Sequence, residues 1–405
     1  MAEEYDILIV GGGLAGSAMA CALVQKLPPE ISIGILESQL QLPEYTDSFD
    51  PRVVALTASS REFLQSLGVW EKLSRPSVFK HMTVWDADGT GQIEYDGSLL
   101  AGGALSAEES SLGHIVENSN LVCALRNKLH ESNRVSWLAP ERLEKIQQLP
   151  SGQWQVNCES GCEVLAGLVV AADGARSPVR EQAGFELRQW SYDQSAIVTT
   201  VKTEKPHNKT AWQSFLSTGP LAFLPLDDGN GDQSHCSIVW SADTDEAERL
   251  MALSDSDFCL ALERGLEGRL GRILEVDTRY CLPLRQRHSV RYIKPGVVLV
   301  ADAAHNIHPL AGQGINLGFL DVEALADTLA WAADRGLHLG SMDCLQRYER
   351  QRMSHNLSMM AAMEAFKRVF GSGNLAVRWL RNFGLKLVDK QPLLKQFFVR
   401  QSMSR

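Results

Sequence analysis

The residues best suited to chemistry lie late in the chain, at positions 297–319. An acid, Asp302, follows the apolar run Val297–Val300, whose length and composition are typical of a buried parallel strand. The glycines of Gly312–Gly314 let the backbone approach a flat ligand closely, and apolar residues at helical spacing begin near Asn316. Open α/β sheets bind ligands beyond the carboxyl ends of their strands, and helix amino termini bind anions, so this block predicts a cofactor site. The alternative is an ordinary strand–loop–helix connection.

A second block with ligand-binding chemistry begins the chain. Gly11, Gly13 and Gly16 occupy the G-x-G-x-x-G positions, which allow a tight turn, a close approach to a pyrophosphate and close helix–strand packing. Glu37 follows 21 residues after Gly16, where an acid binds ribose hydroxyls and disfavours a 2′-phosphate. The framing segments read as strand, helix and strand: Tyr5–Val10, Ser17–Leu27 and Ser32–Leu36. Together they predict a dinucleotide-binding βαβ unit rather than a chance glycine turn.

Two further positions carry candidate functional groups. A third buried strand, Leu168–Ala172, runs into the turn Asp173-Gly174 and repeats the order of strand and acid found at 297–302. Arg52 lies in a polar loop before the predicted helix Ser59–Leu67. It is either a helix-flanking surface residue or a cation near the cofactor or its substrate.

The elements that must position these residues form two lobes. Segments 78–100 and 186–285 alternate apolar and polar residues, which predicts antiparallel strands, with two short helices around 244–252 and 255–264. We predict an α/β fold with a discontinuous dinucleotide-binding domain, an antiparallel-sheet substrate domain and C-terminal helices. The expected boundaries are 1–75, 101–185 and 286–345 for the first, 76–100 and 186–285 for the second, and 346–405 for the third.

Composition excludes several classes of protein. The chain is 44% hydrophobic and 22% charged, which are globular values, and its net charge of −10 argues against a nucleic-acid partner. The eight cysteines form no Cys-x-x-Cys pair, so we expect no metal site. No secretory signal is evident and no window approaches 18 uncharged apolar residues. These features predict a cytoplasmic protein in a reducing compartment.

The charge is unevenly distributed. Residues 366–405 hold nine Lys or Arg against one acid, Asp389. Within Asn374–Asp389 the apolar positions follow the spacing of an amphipathic helix, and a second apolar cluster follows Pro392. Two interpretations stay open: peripheral association with the inner membrane, or packing on the protein body, on a second copy or on a partner protein. A homo-oligomer is one form of the second.

Several segments resemble one family closely. The blocks read VGGGLAG, VVAADGARS and ADAAHNIHPLAGQGINLGF, and this layout is similar to single-component FAD monooxygenases of p-hydroxybenzoate hydroxylase type. More narrowly, LGHIVEN at 112–118, FLPL at 223–226, SIVWS at 237–241 and HPLAGQGINLGF at 308–319 resemble the polyprenylphenol hydroxylases of ubiquinone biosynthesis. The resemblance covers at least residues 5–390. It implies a Rossmann-like FAD domain of glutathione-reductase type.

The resemblance also implies roles for individual residues. Those implied in FAD binding are Gly11, Gly13, Gly16, Glu37, Arg52, Asp173, Asp302, Gly312, Gly314 and Asn316. Those implied around the reactive C4a position of the flavin are Arg52, His308, Pro309 and Gly314. Asp302 would bind the ribityl hydroxyls, and Asp173 would serve both the pyrophosphate region and NAD(P)H use. We expect Gly314 and Asn316 to act on flavin electronics rather than on folding.

Two departures from the family pattern stand out. Ala301 replaces the usual glycine before Asp302, and its methyl group should be tolerated if φ is negative there. An arginine common on the helix at 119–130 has no clear counterpart, and Arg126 is the candidate.

The implied reaction is hydroxylation of a polyprenylated phenol. FAD reduced by NADH or NADPH would add O₂ at C4a, and the terminal peroxide oxygen would be transferred to the ring. The alternatives are an FAD-dependent reductase or epoxidase acting on another isoprenoid or aromatic substrate, and an NAD-dependent dehydrogenase or non-catalytic nucleotide-binding protein. His305 and His308 either polarise the phenol or bond loop backbone, the second being the favoured interpretation. Trp212 and Trp240 are candidates to line a substrate pocket.

Overall fold

The computed structural model describes residues 3–39, 48–100, 111–306 and 314–370. The strands in these ranges are β1 Glu3–Val10, β2 Ile33–Leu36, β3 Val53–Leu56, β4 Ser77–Phe79, β5 His81–Asp86, β6 Gln92–Asp96, β7 Gly113–Glu117, β8 Val135–Leu138, β9 Leu143–Gln148, β10 Trp154–Cys158, β11 Glu163–Ala171, β12 Leu187–Thr203, β13 Thr210–Leu216, β14 Gly219–Leu226, β15 His235–Asp243, β16 Ile273–Val276, β17 Tyr280–Ser289, β18 Ile293–Lys294, β19 Val297–Leu299 and β20 His305–Asn306. The helices are α1 Leu14–Lys26, α2 Ala58–Ser66, α3 Asn118–Ser132, α4 Pro178–Gln182, α5 Thr244–Met251, α6 Asp255–Gly265, α7 Gly314–Ala333 and α8 Met342–Phe370.

The first sheet is the centre of the molecule. Its main order is β18-β19-β11-β1-β2-β8, and β10 and β9 extend it from β11. The pairs among β19, β11, β1, β2 and β8 are parallel. Helices α1, α3, α7 and α8 pack with this sheet, and their apolar residues share one core with Ile7–Val10, Val169–Ala171 and Val297–Val300. The near-continuous apolar runs of these strands follow from burial on both faces.

The second sheet lies beside the first. Its main order is β20-β17-β12-β15-β14-β13-β5-β6, with β16 on β12. Helices α5 and α6 cover one face, where Ile197, Trp240 and Phe258 belong to a separate core. The two helices predicted around 244–252 and 255–264 are confirmed as α5 and α6. The fold is thus of the α/β class that the sequence predicts, with two large sheets.

Two pairings differ from the sequence-based expectation. Strand β13 pairs with β5 in parallel, so the second sheet is mixed rather than antiparallel. The polar loop expected to hold Arg52 is followed at once by β3, which forms a three-stranded sheet with β7 and β4. These strands have three to five residues each, too short for their alternation to be distinguished from a loop.

The predicted domain boundaries stay a prediction. Strands β5 and β6 belong to the second sheet, whereas β4 belongs to the three-stranded sheet. In the part of the chain that the structure describes, no helix is both long and apolar enough to span a bilayer.

Candidate functional site

The three sequence blocks meet at one edge of the first sheet. Strands β1, β11 and β19 are adjacent and parallel, with Val10 beside Ala171 and Ala171 beside Leu299. The strands therefore end at the same level, and the segments that follow leave the sheet side by side. The candidate residues on these segments are Gly11, Asp173 and Asp302. We call this region the carboxyl edge. It is where open parallel sheets bind their ligands.

The glycines of the first block differ in their surroundings. A Cβ atom at Gly11 would lie 2.5 Å from the Ala172 carbonyl oxygen, and one at Gly16 would lie 1.8 Å from the Gly11 carbonyl oxygen. Gly11 also has a φ of +100°, which favours glycine. A Cβ at Gly13 would meet no atom of the described residues within 4 Å. The protein's own packing therefore requires Gly11 and Gly16, whereas Gly13 borders space open to a ligand.

Glu37 and Arg126 stabilise the glycine loop. Glu37, the residue after β2, accepts hydrogen bonds from the N–H groups of Gly12 (2.6 Å) and Gln39 (2.8 Å). Arg126 of α3 donates to the Gly12 carbonyl oxygen through Nε and Nη2, both at 3.0 Å, and Nη2 lies 3.5 Å from Glu37 Oε2. Arg126 is 6% exposed. Arg126, whose role was open from the sequence alone, thus binds the glycine loop beside Glu37, the residue predicted to bind the ribose.

Asp173 presents an unsatisfied acceptor at the carboxyl edge. Its Oδ2 accepts from the N–H of Val179 (3.0 Å), but Oδ1 is buried and has no hydrogen-bond partner among the described residues. Desolvation raises the pKa of this carboxyl, although the neighbouring Ser177 hydroxyl and the Val179 N–H act to lower it. Buried acceptors are normally paired, so this oxygen is suited to a ligand donor.

The backbone before Asp302 is unusual. Ala301 has a φ of +51°, so the condition of a negative φ that the sequence interpretation required is not met. The left-handed region costs an L-residue about 1–2 kcal/mol. Room for the methyl group comes from α7, since a Cβ at Gly318 would lie 2.8 Å from that of Ala301. The Ala301 N–H donates to the carboxylate of Asp321 (3.1 Å), which compensates part of the strain.

Asp302 lies in the single 3₁₀ turn Ala301–Ala303. The residue reaches solvent, yet protein atoms crowd its carboxyl group. This desolvation raises the pKa of the carboxyl, and the charge of His305 and a hydrogen bond with Asn306 act in the opposite direction. Asp302 is therefore an accessible acid on a densely packed surface, as its predicted ligand role requires.

Helix α7 begins at Gly314, where a Cβ would meet no described atom within 4 Å. Asn316, two residues later, is buried and connects three elements. Its Oδ1 accepts from the Thr57 N–H (3.1 Å) and Ser60 Oγ (2.7 Å), and its Nδ2 donates to the Ala55 carbonyl oxygen (2.8 Å). These contacts give the Asn316 side chain a folding role that the sequence interpretation did not include. An electronic effect on the flavin stays a prediction for the backbone here.

Arg52 lies largely in solvent in the described part of the chain. Its side chain is 67% exposed, its N–H donates to Asp50 Oδ1 (2.9 Å) and its carbonyl oxygen accepts from Asn118 (2.9 Å). Its proposed contact with the cofactor stays a prediction. The predicted residues His308, Pro309 and Gly312 lie outside the described residues.

The aromatic and histidine candidates have other partners. His305 is 2% exposed and its Nε2 lies 2.5 Å from Asp321, so it is not available to a phenol, and its partner is a carboxylate rather than loop backbone. Trp240 is 3% exposed in the core beneath α5 and α6, and Trp212 packs against that core. Trp240 is therefore a core residue and Trp212 lies partly buried at the margin of that core, and the pocket role considered for the two stays a prediction.

Sequence reasoning missed the buried charges behind the carboxyl edge. Arg180 of α4 donates to the carbonyl oxygens of Ala303 (2.9 Å) and Ala175 (3.0 Å) and so connects the Asp173 and Asp302 turns. Asp321 of α7 holds Ala301, as described above. A signal was available for Asp321, which is a charged residue on the apolar face of a predicted helix. Such residues are seldom buried without a partner, so its position indicates a buried ion pair.

Comparison with known proteins agrees with this geometry. A family model described as an FAD binding domain matches residues 4–362. The chain is 33% identical to the 3-demethoxyubiquinol 3-hydroxylase of Escherichia coli K12, over 97% of each protein. It is 34% identical to the ubiquinone hydroxylase UbiL of Rhodospirillum rubrum, over 98% of this chain and 89% of the relative. It is 33% identical to the ubiquinone biosynthesis monooxygenase COQ6 of Danio rerio, over 97% and 88%.

Solved structures share the fold at lower identity. The p-nitrophenol 4-monooxygenase PnpA of Pseudomonas putida superposes with a TM-score of 0.79 at 18% identity, over 99% of this chain and 98% of PnpA. PqsL of Pseudomonas aeruginosa, a probable FAD-dependent monooxygenase, gives 0.74 at 21% identity, over 95% and 100%. The FAD binding domain model matches most of this chain, and hydroxylases are among its relatives. The chain therefore belongs to the FAD-dependent monooxygenase family that includes the ubiquinone-biosynthesis hydroxylases.

Proposed function

We propose that this protein hydroxylates the aromatic ring of a polyprenylated phenol in ubiquinone biosynthesis, using FAD, O₂ and NADH or NADPH. The observation that carries the proposal is the meeting of Gly11, Asp173 and Asp302 at one carboxyl edge. The printed names of the relatives supply the substrate class, since they are ubiquinone-biosynthesis hydroxylases.

The residues at the carboxyl edge fit FAD. The open space at Gly13 suits a pyrophosphate, the carboxylate of the exposed residue Asp302 suits ribityl hydroxyls, and the unpartnered oxygen of Asp173 suits a ligand donor. Glu37 accepts three hydrogen bonds within the protein, from the N–H groups of Gly12 and Gln39 and from Ser38 Oγ (3.1 Å), and keeps about one of a carboxylate's roughly four lone-pair sites for the ribose. The start of α7 at Gly314 would face the electron-rich edge of the flavin, where a helix amino terminus stabilises negative charge.

The flavin, when bound and reduced, supplies the activation of O₂. The protein has to orient the cofactor, place the ring against it and exclude water. No triad or metal is required for these tasks.

We infer that the ring binds on the face of the second sheet opposite α5 and α6. That face carries Thr200 and Ser237, which are directly opposite each other on β12 and β15. They are 2% and 0% exposed, and neither hydroxyl oxygen has a hydrogen-bond partner among the described residues. Two buried hydroxyls without partners are suited to a phenol oxygen. We call Thr200 and Ser237 the hydroxyl pair.

The solubility of the substrate bears on location. A polyprenylated phenol is almost insoluble in water, so its enzyme has to take it from a bilayer or from a partner protein. We propose a cytoplasmic enzyme that reaches the inner membrane, or a ubiquinone-biosynthesis complex, through residues 366–405. Residues 371–405 lie outside the described part of the chain.

The decisive experiment uses purified full-length protein, a phenol bearing a short isoprenoid chain, NADH or NADPH, and isotopically labelled O₂. We expect bound FAD, nicotinamide oxidation that depends on the phenol, and one labelled oxygen atom on the ring. Substrate reduction without O₂ uptake would indicate a reductase, and label on the side chain would indicate an epoxidase. Protein without flavin would contradict the proposal altogether. Quinone precursors that accumulate after gene deletion, identified by mass spectrometry, would report the ring position.

A further inference from the structure

A buried carboxylate lies directly behind the Asp302 turn. Asp321 of α7 is 0% exposed, and its oxygens accept four hydrogen bonds. Oδ2 accepts from the Ala301 N–H (3.1 Å) and from His305 Nε2 (2.5 Å). Oδ1 accepts from Arg352 Nε (2.7 Å) and Asn356 Nδ2 (3.1 Å). The donors come from the Asp302 turn, from β20 and from α8, so this one side chain joins three segments far apart in the sequence.

Asp321 is ionised in spite of its burial. Desolvation acts to raise the pKa of the carboxyl, but the charges of His305 and Arg352 and their hydrogen bonds lower it to about 2. All lone-pair directions of the carboxylate are occupied, so His305 donates through Nε2. Arg352 in turn donates to Asn356 Oδ1 (2.8 Å), which fixes the two α8 side chains relative to each other. The carboxylate is thus held from both sides.

The contacts of α7 match the unusual backbone at residue 301. Asp321 and Gly318 are three residues apart and lie on the same face of the helix. Asp321 binds the N–H of Ala301, and the missing side chain at Gly318 leaves room for its methyl group. Both contacts favour the left-handed conformation of Ala301, which determines the direction in which the chain continues into Asp302.

We propose that Asp321 is a positioning residue for the cofactor, which holds Ala301 in its left-handed conformation and so orients Asp302 toward FAD. Helix α8 contributes to this positioning, because its Arg352 and Asn356 donate hydrogen bonds to Asp321 Oδ1, the carboxylate oxygen that does not bind Ala301. The inference rests on the proposed binding of FAD at Asp302. It assigns a task to α8, an element that carries none of the sequence motifs.

The test compares FAD binding and the flavin midpoint potential in full-length variants. In Asp321→Asn the amide N–H₂ replaces a carboxylate oxygen and faces N–H donors of the protein, so one pair of hydrogen bonds is lost. We therefore expect FAD affinity to fall about tenfold or more and the flavin midpoint potential to shift. Ala301→Gly tolerates the left-handed conformation without help, so the double variant Ala301→Gly/Asp321→Asn should recover about fivefold of the lost affinity. Asp327→Asn is the matched control, because Asp327 is on the same helix with a 60% exposed side chain and should bind FAD as wild type does.

Each outcome decides between the alternatives. Wild-type protein that fails to bind FAD contradicts the proposed function itself. If wild type binds FAD and Asp321→Asn binds it equally well, or if the glycine restores nothing in a folded double variant, the positioning role is wrong. Should Asp321→Asn fail to fold, Asn356→Leu removes one donor of the four and decides the matter. We then expect about threefold weaker FAD binding in folded protein, and unchanged binding overturns the inference.

Discussion

Gly13 and Gly16 separate ligand binding from folding within one glycine loop. Gly13 has a φ of −73°, which any residue adopts, and open space at its Cβ. We expect Gly13→Val to keep the free energy of apoprotein unfolding within about 0.5 kcal/mol of wild type while FAD affinity falls at least about tenfold. Gly16→Ala should instead destabilise the apoprotein by about 3 kcal/mol, because its Cβ would overlap the Gly11 carbonyl oxygen. Urea unfolding and flavin titration check both, and full flavin in Gly13→Val would refute the assignment.

The hydroxyl pair gives a residue-scale prediction with opposite signs for stability and activity. Thr200→Val keeps the shape of the side chain and removes a buried hydroxyl that has no partner among the described residues. Stability should therefore stay equal or rise by up to about 1 kcal/mol, while KM for the phenol rises about tenfold. Steady-state kinetics and thermal unfolding measure the two effects. The control is Thr203→Val, because the single Thr203 Oγ1 proton is shared between the carbonyl oxygens of Lys205 (2.8 Å) and Ser234 (2.9 Å) and its loss should reduce stability only.

His288 predicts a pH dependence of stability. Its ring is buried against the Tyr292 hydroxyl (3.1 Å), and desolvation, with added repulsion from His305 and Arg188, lowers its pKa to about 4. An unfolded histidine has a pKa of about 6.5, so between pH 4 and 6.5 the unfolded chain binds a proton that the folded chain does not. Stability is therefore lost as the pH falls through this window. In His288→Gln the free energy of unfolding should depend less steeply on pH in this window, by up to ~1.4 kcal/mol per pH unit, and urea unfolding at several pH values would measure this. The exposed His338 serves as the control through His338→Gln, and an equal change there would contradict the assignment.

At the scale of elements, Asn316 joins α7 to β3 and α2. Asn316→Leu leaves the Ala55 carbonyl oxygen and the Thr57 N–H without this partner, so we expect a loss of about 2–4 kcal/mol in apoprotein stability. Gly314→Ala, two residues earlier in open space, should leave stability within about 0.5 kcal/mol and change turnover instead. Chemical unfolding and single-turnover flavin reduction distinguish them. Equal stability losses in both variants would mean that Gly314 has only a folding role.

The elements differ in how far local sequence determines them. Strand β19 and helix α7 can be predicted from their apolar residues. A strand buried on both faces has a continuous apolar run, and a helix buried on one face has apolar residues at helical spacing. Pairing partners leave no such record. The parallel pair of β13 and β5 joins segments more than a hundred residues apart, and the short β3, β4 and β7 acquire their structure from one another.

The same limit applies to the site. Gly13 and Asp302 were predicted because the turn chemistry is local to each block. Arg126, Arg180 and Asp321 could not be placed, because each buried charge is stabilised by partners from distant segments. Sequence motifs therefore predict the groups that would meet the cofactor, and the tertiary fold is needed to find the buried groups that hold those segments in place.

For the whole molecule, the two sheets are joined at the carboxyl edge itself. Strand β20, which follows the Asp302 turn directly, pairs with β17 of the second sheet through His305 and His288. The turn that carries the predicted ribityl ligand thus continues directly into a strand of the proposed substrate sheet. The Asp302 turn and the hydroxyl pair are thus connected through one sheet. Transfer of an oxygen atom from a flavin to a ring needs such a fixed relative position of the two binding sites.

The basic end of the chain gives a prediction at the same scale. Residues 366–405 carry nine Lys or Arg and one acid in a chain of net charge −10. Full-length protein should bind vesicles of anionic phospholipid at low salt and release them as salt rises, because the Debye length shortens from about 30 Å at 0.01 M to about 10 Å at 0.1 M. Changing Lys386, Lys390 and Lys395 to Gln should weaken binding by about 1 kcal/mol each and leave flavin content unchanged. Vesicle co-sedimentation measures this, with neutral vesicles as the control. Full-length protein that ignores anionic vesicles at low salt would exclude the membrane interpretation and favour a protein partner for these residues.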